Sequence, residues 1–331
     1  MILAVDVMGF ENSLEEAILA CQDFVKQNKN IQIILVGNED KIKSIKFDPA
    51  NISIINANDE IVQNDAITIL RTKKDSSMFK AIDLVKQKKA DGVLSAGNSS
   101  IFAFLCYQNF GLIPGVNKLA FIPYVPTFSG KGFNILDVGA SINCDDYDLY
   151  MFAIIGNLFA KCRGIDNPKV SILNIGEEHH KGYEYHHLAY DRLKANKNIN
   201  FQGYVEPKNI LMGLTDVIVT DGYAGNICLK SLEGTSKIIF NDMLNYYKKP
   251  LHWILFPFIM SYLLKVKKKF DYKNNAGAFV AGVNNIAVKT HGSADYKQFF
   301  SSLRMLKESI EFKIIDKIKK EIANESKRVK R

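Results

Sequence analysis

Short apolar runs recur along the chain with helical patterns between them: Ile2 to Val5, Ile31 to Val36, Ile52 to Ile55, Gly92 to Leu94, Ile135 to Val138, Val170 to Leu173 and Val217 to Val219. That alternation predicts a parallel α/β sheet. In the first crossover Leu14, Ile18, Cys21 and Val25 fall at i, i+4, i+7 and i+11 behind Ser13, a helix with one face on the sheet. Near the other end Phe299, Leu303, Leu306, Ile310, Ile314, Ile318 and Ile322 share one face, which predicts a basic amphipathic helix within residues 294–331. Between these, Pro126 to Gly139 reads as a hairpin, with a glycine turn carrying Lys131 and feeding a strand that ends at Asp137.

The stretch Val217 to Leu229 reads as strand, glycine turn and helix start. Gly222 and Gly225 remove Cβ atoms where a backbone bends or approaches a ligand, and the helix start is expected to offer free N–H groups to an anion. Asp221 and Asn226 add a carboxylate and an amide at the strand's carboxyl end, where open sheets bind ligands. The run Asp91 to Asn98 echoes this grammar and is expected to share a cleft with it, through convergence of βα units rather than duplication.

Residues 250–270 change character. Trp253, Ile254, Phe256, Phe258 and Ile259 lie in a Pro-broken apolar run, followed by Lys265, Lys267, Lys268 and Lys269. The run is too short to span a bilayer, which takes about 20 helical residues. Aromatic and lysine clusters side by side predict an interfacial anchor on an anionic membrane surface, with a buried core helix as the competing reading.

With 331 residues and 47% hydrophobic content the chain is globular, with length for one large domain or two modest ones. Its five scattered cysteines form no CxxC pair, which points to a reducing cytoplasm and away from a disulfide framework or zinc site. The apolar strand at the start lacks the features of a signal peptide. A formal net charge of +8 favours anionic partners.

No nucleophile elbow, Walker-type loop, complete dinucleotide fingerprint or HExxH helix occurs. What remains is Ser95, Asn98, Lys131, Asp137, Lys181, Asp221 and Asn226, each near a glycine or a strand end. Such a set suits positioning and charge stabilisation better than covalent catalysis. The histidines of the loop, His179, His180, His186 and His187, match no standard metal spacing and are expected to be solvated.

Several blocks together resemble the bacterial phosphate acyltransferases, which convert acyl-acyl-carrier-protein and inorganic phosphate into acyl phosphate for phospholipid synthesis. The blocks are Ala4 to Gly9, Lys73 to Met78, Ser95 to Asn98, Gly130 to Phe133, Leu136 to Ala140, Leu173 to Glu178, Asp221 to Asn226 and His291 to Ser293. The sequence departs from the usual family pattern at Phe10 and Glu11, at Ser99 and Ser100, and at Tyr183.

The resemblance implies a single three-layer α/β/α domain with a mostly parallel sheet, like that of phosphotransacetylases and the isocitrate and isopropylmalate dehydrogenases, with a protruding hydrophobic helical segment. It also implies a homodimer at the inner face of the cell membrane, without cofactor, metal or nucleic acid, and leaves room for a downstream glycerol-phosphate acyltransferase as partner. Lys181, Asp221 and Asn226 carry over as catalytic residues. Ser95, Asn98, Lys131, Asp137, Gly222, Gly225 and His291 are expected to line the substrate site. Phosphate, held by backbone amides and Lys181, would attack the thioester carbonyl directly while Asn226 and helix-start amides stabilise the oxyanion. A phosphotransacylase using acyl-coenzyme A, a metal-dependent dehydrogenase on the same fold and a non-catalytic membrane scaffold for acyltransferases are the alternatives. The dehydrogenase would need clustered aspartates, which the sequence does not show.

Overall fold

The computed structural model describes residues 1–9, 11–247, 261–262 and 276–329. The expected membrane segment, with Trp253, Ile254, Phe256, Phe258, Ile259, Lys265, Lys267, Lys268 and Lys269, lies outside the described residues.

The strands are β1 (Ile2–Asp6), β2 (Gln32–Gly37), β3 (Ile52–Asn56), β4 (Gly92–Ser95), β5 (Ala120–Pro126), β6 (Gly132–Leu136), β7 (Lys169–Leu173), β8 (Asn200–Val205), β9 (Val217–Val219), β10 (Ala278–Ala281) and β11 (Ile286–Lys289). They form one 11-stranded sheet in the order β3-β2-β1-β4-β11-β10-β5-β6-β9-β7-β8. The pairings are parallel except at β11·β10, β10·β5 and β5·β6. The hairpin expected around Lys131 is the β5·β6 pair, although β6 runs Gly132–Leu136 rather than Ile135 to Val138. The mixed centre was not legible in the sequence, because β10 and β11 are four-residue strands next to segments of changing character.

Period-two alternation sends successive residues of a strand to different faces of the sheet, where three apolar clusters form. Leu3 and Val5 of β1 join one cluster, and Ala4 joins another. The first cluster is covered by α1 (Leu14–Gln27), α5 (Asp146–Cys162) and two C-terminal helices, α8 (Tyr296–Glu311) and α9 (Ile314–Val329). The second is covered by α3 (Ser77–Lys86) and α4 (Ser99–Phe110). This is the three-layer arrangement the family resemblance implied. The helix α1 buries Ile18, Cys21 and Val25 as expected, but Ser13 makes no side-chain cap bond. The helix α5 opens with a reciprocal cap between Asp145 and Asp148 and is buried along nearly its whole length. The single C-terminal helix expected from periodicity is corrected to two. Lys313 takes a left-handed φ of 54°, and the break keeps Ile314, Ile318 and Ile322 buried.

Candidate active site

Strand β9 ends in Thr220 and Asp221, and α7 (Gly222–Tyr247) starts at once. The Asp221 Oδ1 accepts from the Ala224 amide at 2.8 Å, so this carboxylate caps the helix itself. The Gly222 amide donates to the Ser141 carbonyl at 2.9 Å. These bonds correct the expectation of a free anion cradle: two first-turn donors are in use, and a carboxylate occupies the positive end of the dipole. The Asp221 Oδ2 accepts from the Tyr185 hydroxyl at 3.2 Å. Burial first, and then the Asp221 charge, push the Tyr185 phenol well above its ordinary pKa.

Asp137 fixes the neighbouring turn. Its buried carboxylate accepts from the amides of Phe121 (2.7 Å), Ala140 (3.1 Å) and Ser141 (2.6 Å). Burial raises its pKa to about 6, against the lowering effect of those bonds. The α7 backbone comes so close that a Cβ on Gly225 would stand 1.9 Å from the Asp137 carbonyl oxygen. A Cβ on Gly222 would stand 2.5 Å from Asp137 Oδ2 and from the Ser141 carbonyl oxygen. The glycines therefore serve close packing of two turns, and the sequence could show their spacing but not what they meet.

Asn226 lies one turn inside α7 and is exposed. Its carboxamide carbon would be 3.5 Å from a Cβ built on Gly139, so the amide faces the β6–α5 turn that Asp137 holds. Lys181 is also exposed, at the end of the loop after β7. The Asn174 Nδ2 donates to the Lys181 carbonyl at 2.8 Å, and the His187 Nε2 lies 2.9 Å from the same oxygen. The loop is thus braced while its lysine head stays in solvent. Two of the other histidines are also committed, and His186 is buried rather than solvated as the sequence suggested. His186 Nδ1 accepts from the Tyr183 amide at the start of α6 (Glu184–Ala195), and His179 Nε2 lies 3.2 Å from Asp191.

A second cluster sits at the ends of β1, β4 and β11. Ser95 Oγ donates to Asp6 Oδ2 at 2.6 Å and accepts from the Gly97 amide at 3.1 Å. Lys289 is buried, and its ammonium donates to the carbonyls of Ala96 (3.2 Å) and Thr290. Burial raises Asp6 to about 6 and lowers Lys289 to about 7, and their mutual attraction opposes both shifts. Asn98 caps α4 through the Ile101 amide at 3.0 Å and donates to the carbonyls of Gln63 and Asp65. It pins the 63–65 loop and has no side-chain group left over for substrate. His291 Nδ1 lies 2.8 Å from Ser293 Oγ. Lys131 is exposed at the β5·β6 turn, with its carbonyl accepting from the Thr127 amide.

The two glycine turns do not lie side by side in parallel, as their shared grammar suggested. Between β4 and β9 stand four strands, and the three antiparallel pairings reverse the strand sense. Lys230, one turn beyond Asn226 on α7, adds to the lowering that burial imposes on Lys289 and His291. Partial burial lowers the His291 pKa, Lys230 lowers it further, and Glu233 opposes. Sequence reasoning passed over Lys230, Lys289 and Tyr185. A lysine ending the apolar run Ile286–Lys289 was the one available signal for a buried cation.

Solved structures with this fold are phosphotransacylases and dehydrogenases. A phosphotransacetylase from Streptococcus pyogenes superposes with a TM-score of 0.61 at 15% identity, covering 95% of this chain and 94% of that one. The 4-hydroxythreonine-4-phosphate dehydrogenase of Klebsiella pneumoniae gives 0.51 at 12% identity, with 96% and 99% covered. At such identities the likeness defines the fold alone, an α/β class shared by acyl transfer and dehydrogenation. Sequence narrows it. The model of the family described as fatty acid synthesis protein matches residues 1–317. The phosphate acyltransferase of Malacoplasma penetrans is 50% identical, with 98% of this chain and 99% of that one covered. That of Ureaplasma parvum is 48% identical, with 97% of each covered. The chain belongs to this phosphate acyltransferase family, and it is an enzyme. No helix among the described residues is long and apolar enough to cross a membrane.

Proposed function

We propose that the protein transfers an acyl group from acyl-acyl-carrier-protein to inorganic phosphate, giving acyl phosphate for phospholipid synthesis. A phosphate oxygen attacks the thioester carbonyl, a C–O bond forms, and the C–S bond breaks with its electrons leaving on sulfur. The thiolate takes its proton from solvent. The observation that carries this reading is the Asp221–Asn226 turn, where Asn226 offers a neutral, exposed amide donor beside a backbone fixed by Asp137. The developing oxyanion is stabilised by Asn226. Asp221 shapes the turn by capping α7 and receiving Tyr185, and Lys181 brings a mobile cation to phosphate. Ser95, Asn98 and Asp137 act through the turns they hold, while Lys131 and His291 face the substrates.

The chain's net charge of +8 draws an acidic carrier domain and the anionic coenzyme A alike, so the choice of carrier protein rests on the family resemblance. A homodimer held peripherally at an anionic membrane surface is part of the same reading, as is hand-over to a glycerol-phosphate acyltransferase. Exposed Ile238, Ile239 and Met243 on α7, which leads toward residues 250–270, support an apolar contact there. The deciding experiment supplies purified protein with inorganic phosphate and matched acyl-carrier-protein or acyl-coenzyme A thioesters, and measures acyl phosphate. Faster turnover with carrier protein is expected. A preference for coenzyme A overturns the substrate assignment, and no phosphate-dependent product overturns the reading.

A further inference from the structure

Tyr185 is the second residue of α6, and its hydroxyl donates to Asp221 Oδ2 at 3.2 Å. The other oxygen of Asp221 caps α7 through the Ala224 amide at 2.8 Å. One carboxylate therefore joins the first turns of two helices. The phenol is half-buried, and burial with the Asp221 charge raises its pKa, so it stays a protonated donor at neutral pH.

The ring is held as well as the hydroxyl. Its centroid lies 4.1 Å from that of His186 and 5.7 Å from that of Tyr183, on which it stacks. His186 is buried, and its Nδ1 accepts from the Tyr183 amide at 3.1 Å. The start of α6 is thus a packed aromatic corner whose polar tip reaches Asp221.

The same turn of α6 holds the loop before it. His187 Nε2 lies 2.9 Å from the Lys181 carbonyl, which also accepts from Asn174 Nδ2 at 2.8 Å. The Lys181 stem lies over a glycine of its own loop, since a Cβ on Gly176 would stand 2.9 Å from Lys181 Cγ. A continuous path then runs from the Lys181 backbone through His187 and α6 to the Tyr185 hydroxyl, and on through Asp221 to the α7 turn that carries Asn226. Removing the hydroxyl opens that path at one bond and leaves the ring contacts in place.

We propose that Tyr185 is a positioning residue for the acyl transfer: by tying α6 to Asp221 it sets the Lys181 loop, and with it the phosphate, against the Asn226 amide. The inference rests on the acyl transfer reading above and adds to it a residue that touches neither substrate. Its effect falls on phosphate, because Lys181 is held to α6. The oxyanion turn keeps its other ties, the Asp221 cap and the Asp137 bonds to Phe121, Ala140 and Ser141.

The test is Tyr185→Phe, which removes the hydroxyl and keeps the ring. Tyr190→Phe on the same helix, whose ring packs against Phe201 and Tyr204, is the control for a lost phenol and should match wild type. In Tyr185→Phe the KM for inorganic phosphate should rise about tenfold, the scale of one hydrogen bond to a charged group, with the thioester KM within about twofold. Thermal unfolding should stay within about 3 °C of wild type, as befits one lost bond in a chain of this length. Unchanged phosphate kinetics in Tyr185→Phe overturn the inference. So does a thioester KM that rises in step with the phosphate KM, the mark of a general loosening. Loss of turnover in Lys181→Ala and Asn226→Ala beside an unaffected Tyr185→Phe overturns the inference and leaves the acyl transfer reading standing. Wild-type protein without phosphate-dependent product overturns both.

Discussion

Gly225→Ala is the substitution whose cost can be worked most directly from the geometry. The new Cβ would stand 1.9 Å from the Asp137 carbonyl oxygen and 2.7 Å from Thr220 Cγ2. Both the α7 backbone and the Asp137 peptide are held by hydrogen bonds, so relief to an ordinary contact means moving one turn by more than an ångström. Overpacking of this kind costs about 1–3 kcal/mol. With an unfolding entropy scaled to chain length, that lowers Tm by about 1–4 °C. Displacing a positioning element by about 1 Å costs roughly 10²-fold in rate, so turnover should fall far more than stability. Gly234→Ala supplies the contrast on the same helix, where a Cβ meets nothing within 4 Å. Removing a helical glycine there should stabilise by about 0.5–1 kcal/mol and leave turnover unchanged. The assays are acyl phosphate formation under saturating substrates and thermal unfolding by circular dichroism. Wild-type turnover in folded Gly225→Ala would refute the argument that close packing against Asp137 sets the site.

Three further outcomes follow from the same geometry. Asn226→Ala should cut kcat by about 10–10³-fold with Tm unchanged, because an exposed amide contributes to the oxyanion and little to packing; normal kcat removes it from the mechanism. Lys289, lowered to about 7 from 10.5, leaves the unfolded chain holding more protons between those values, so it makes stability rise with pH there. Lys289→Met should reduce the slope of unfolding free energy against pH by up to about 1.4 kcal/mol per unit, measured by urea denaturation at pH 7, 8 and 9, and an unchanged slope refutes the buried cation. Cys144→Ala should keep wild-type turnover, and iodoacetamide should not inhibit wild type; loss of activity in either case would point to an acyl-enzyme.

What the sequence made legible divides along a physical line. Apolar period and glycine spacing report on local backbone, so the seven runs, the α1 face and the Lys131 hairpin were readable. The reversal of strand sense at β10 was not, since pairing partners far apart in the chain leave no local pattern. Side-chain commitments were equally hidden. Asn98 and Asp137 have the composition of substrate ligands, yet their hydrogen-bonding atoms are taken by Ile101, Gln63, Phe121 and Ser141. Lys289 ends an apolar run, and only the fold shows it buried and bonded to the Ala96 and Thr290 carbonyls.

The distribution of charge favours direct attack by phosphate over a covalent intermediate. Cys144 lies close to the α7 start, its Sγ 3.6 Å from the Ser141 carbonyl that also receives the Gly222 amide. Burial first, and then Asp148, Asp137 and Asp221, push its thiol up to about 12. At neutral pH the thiolate fraction is then on the order of 10⁻⁵, too small for the attacking species. The same carboxylates that silence the thiol would repel phosphate from the glycine turn, while the neutral Asn226 amide can still serve the oxyanion. In the proposed reaction a nucleophile that arrives already anionic needs no base, and the exposed Lys181 is the cation offered to it.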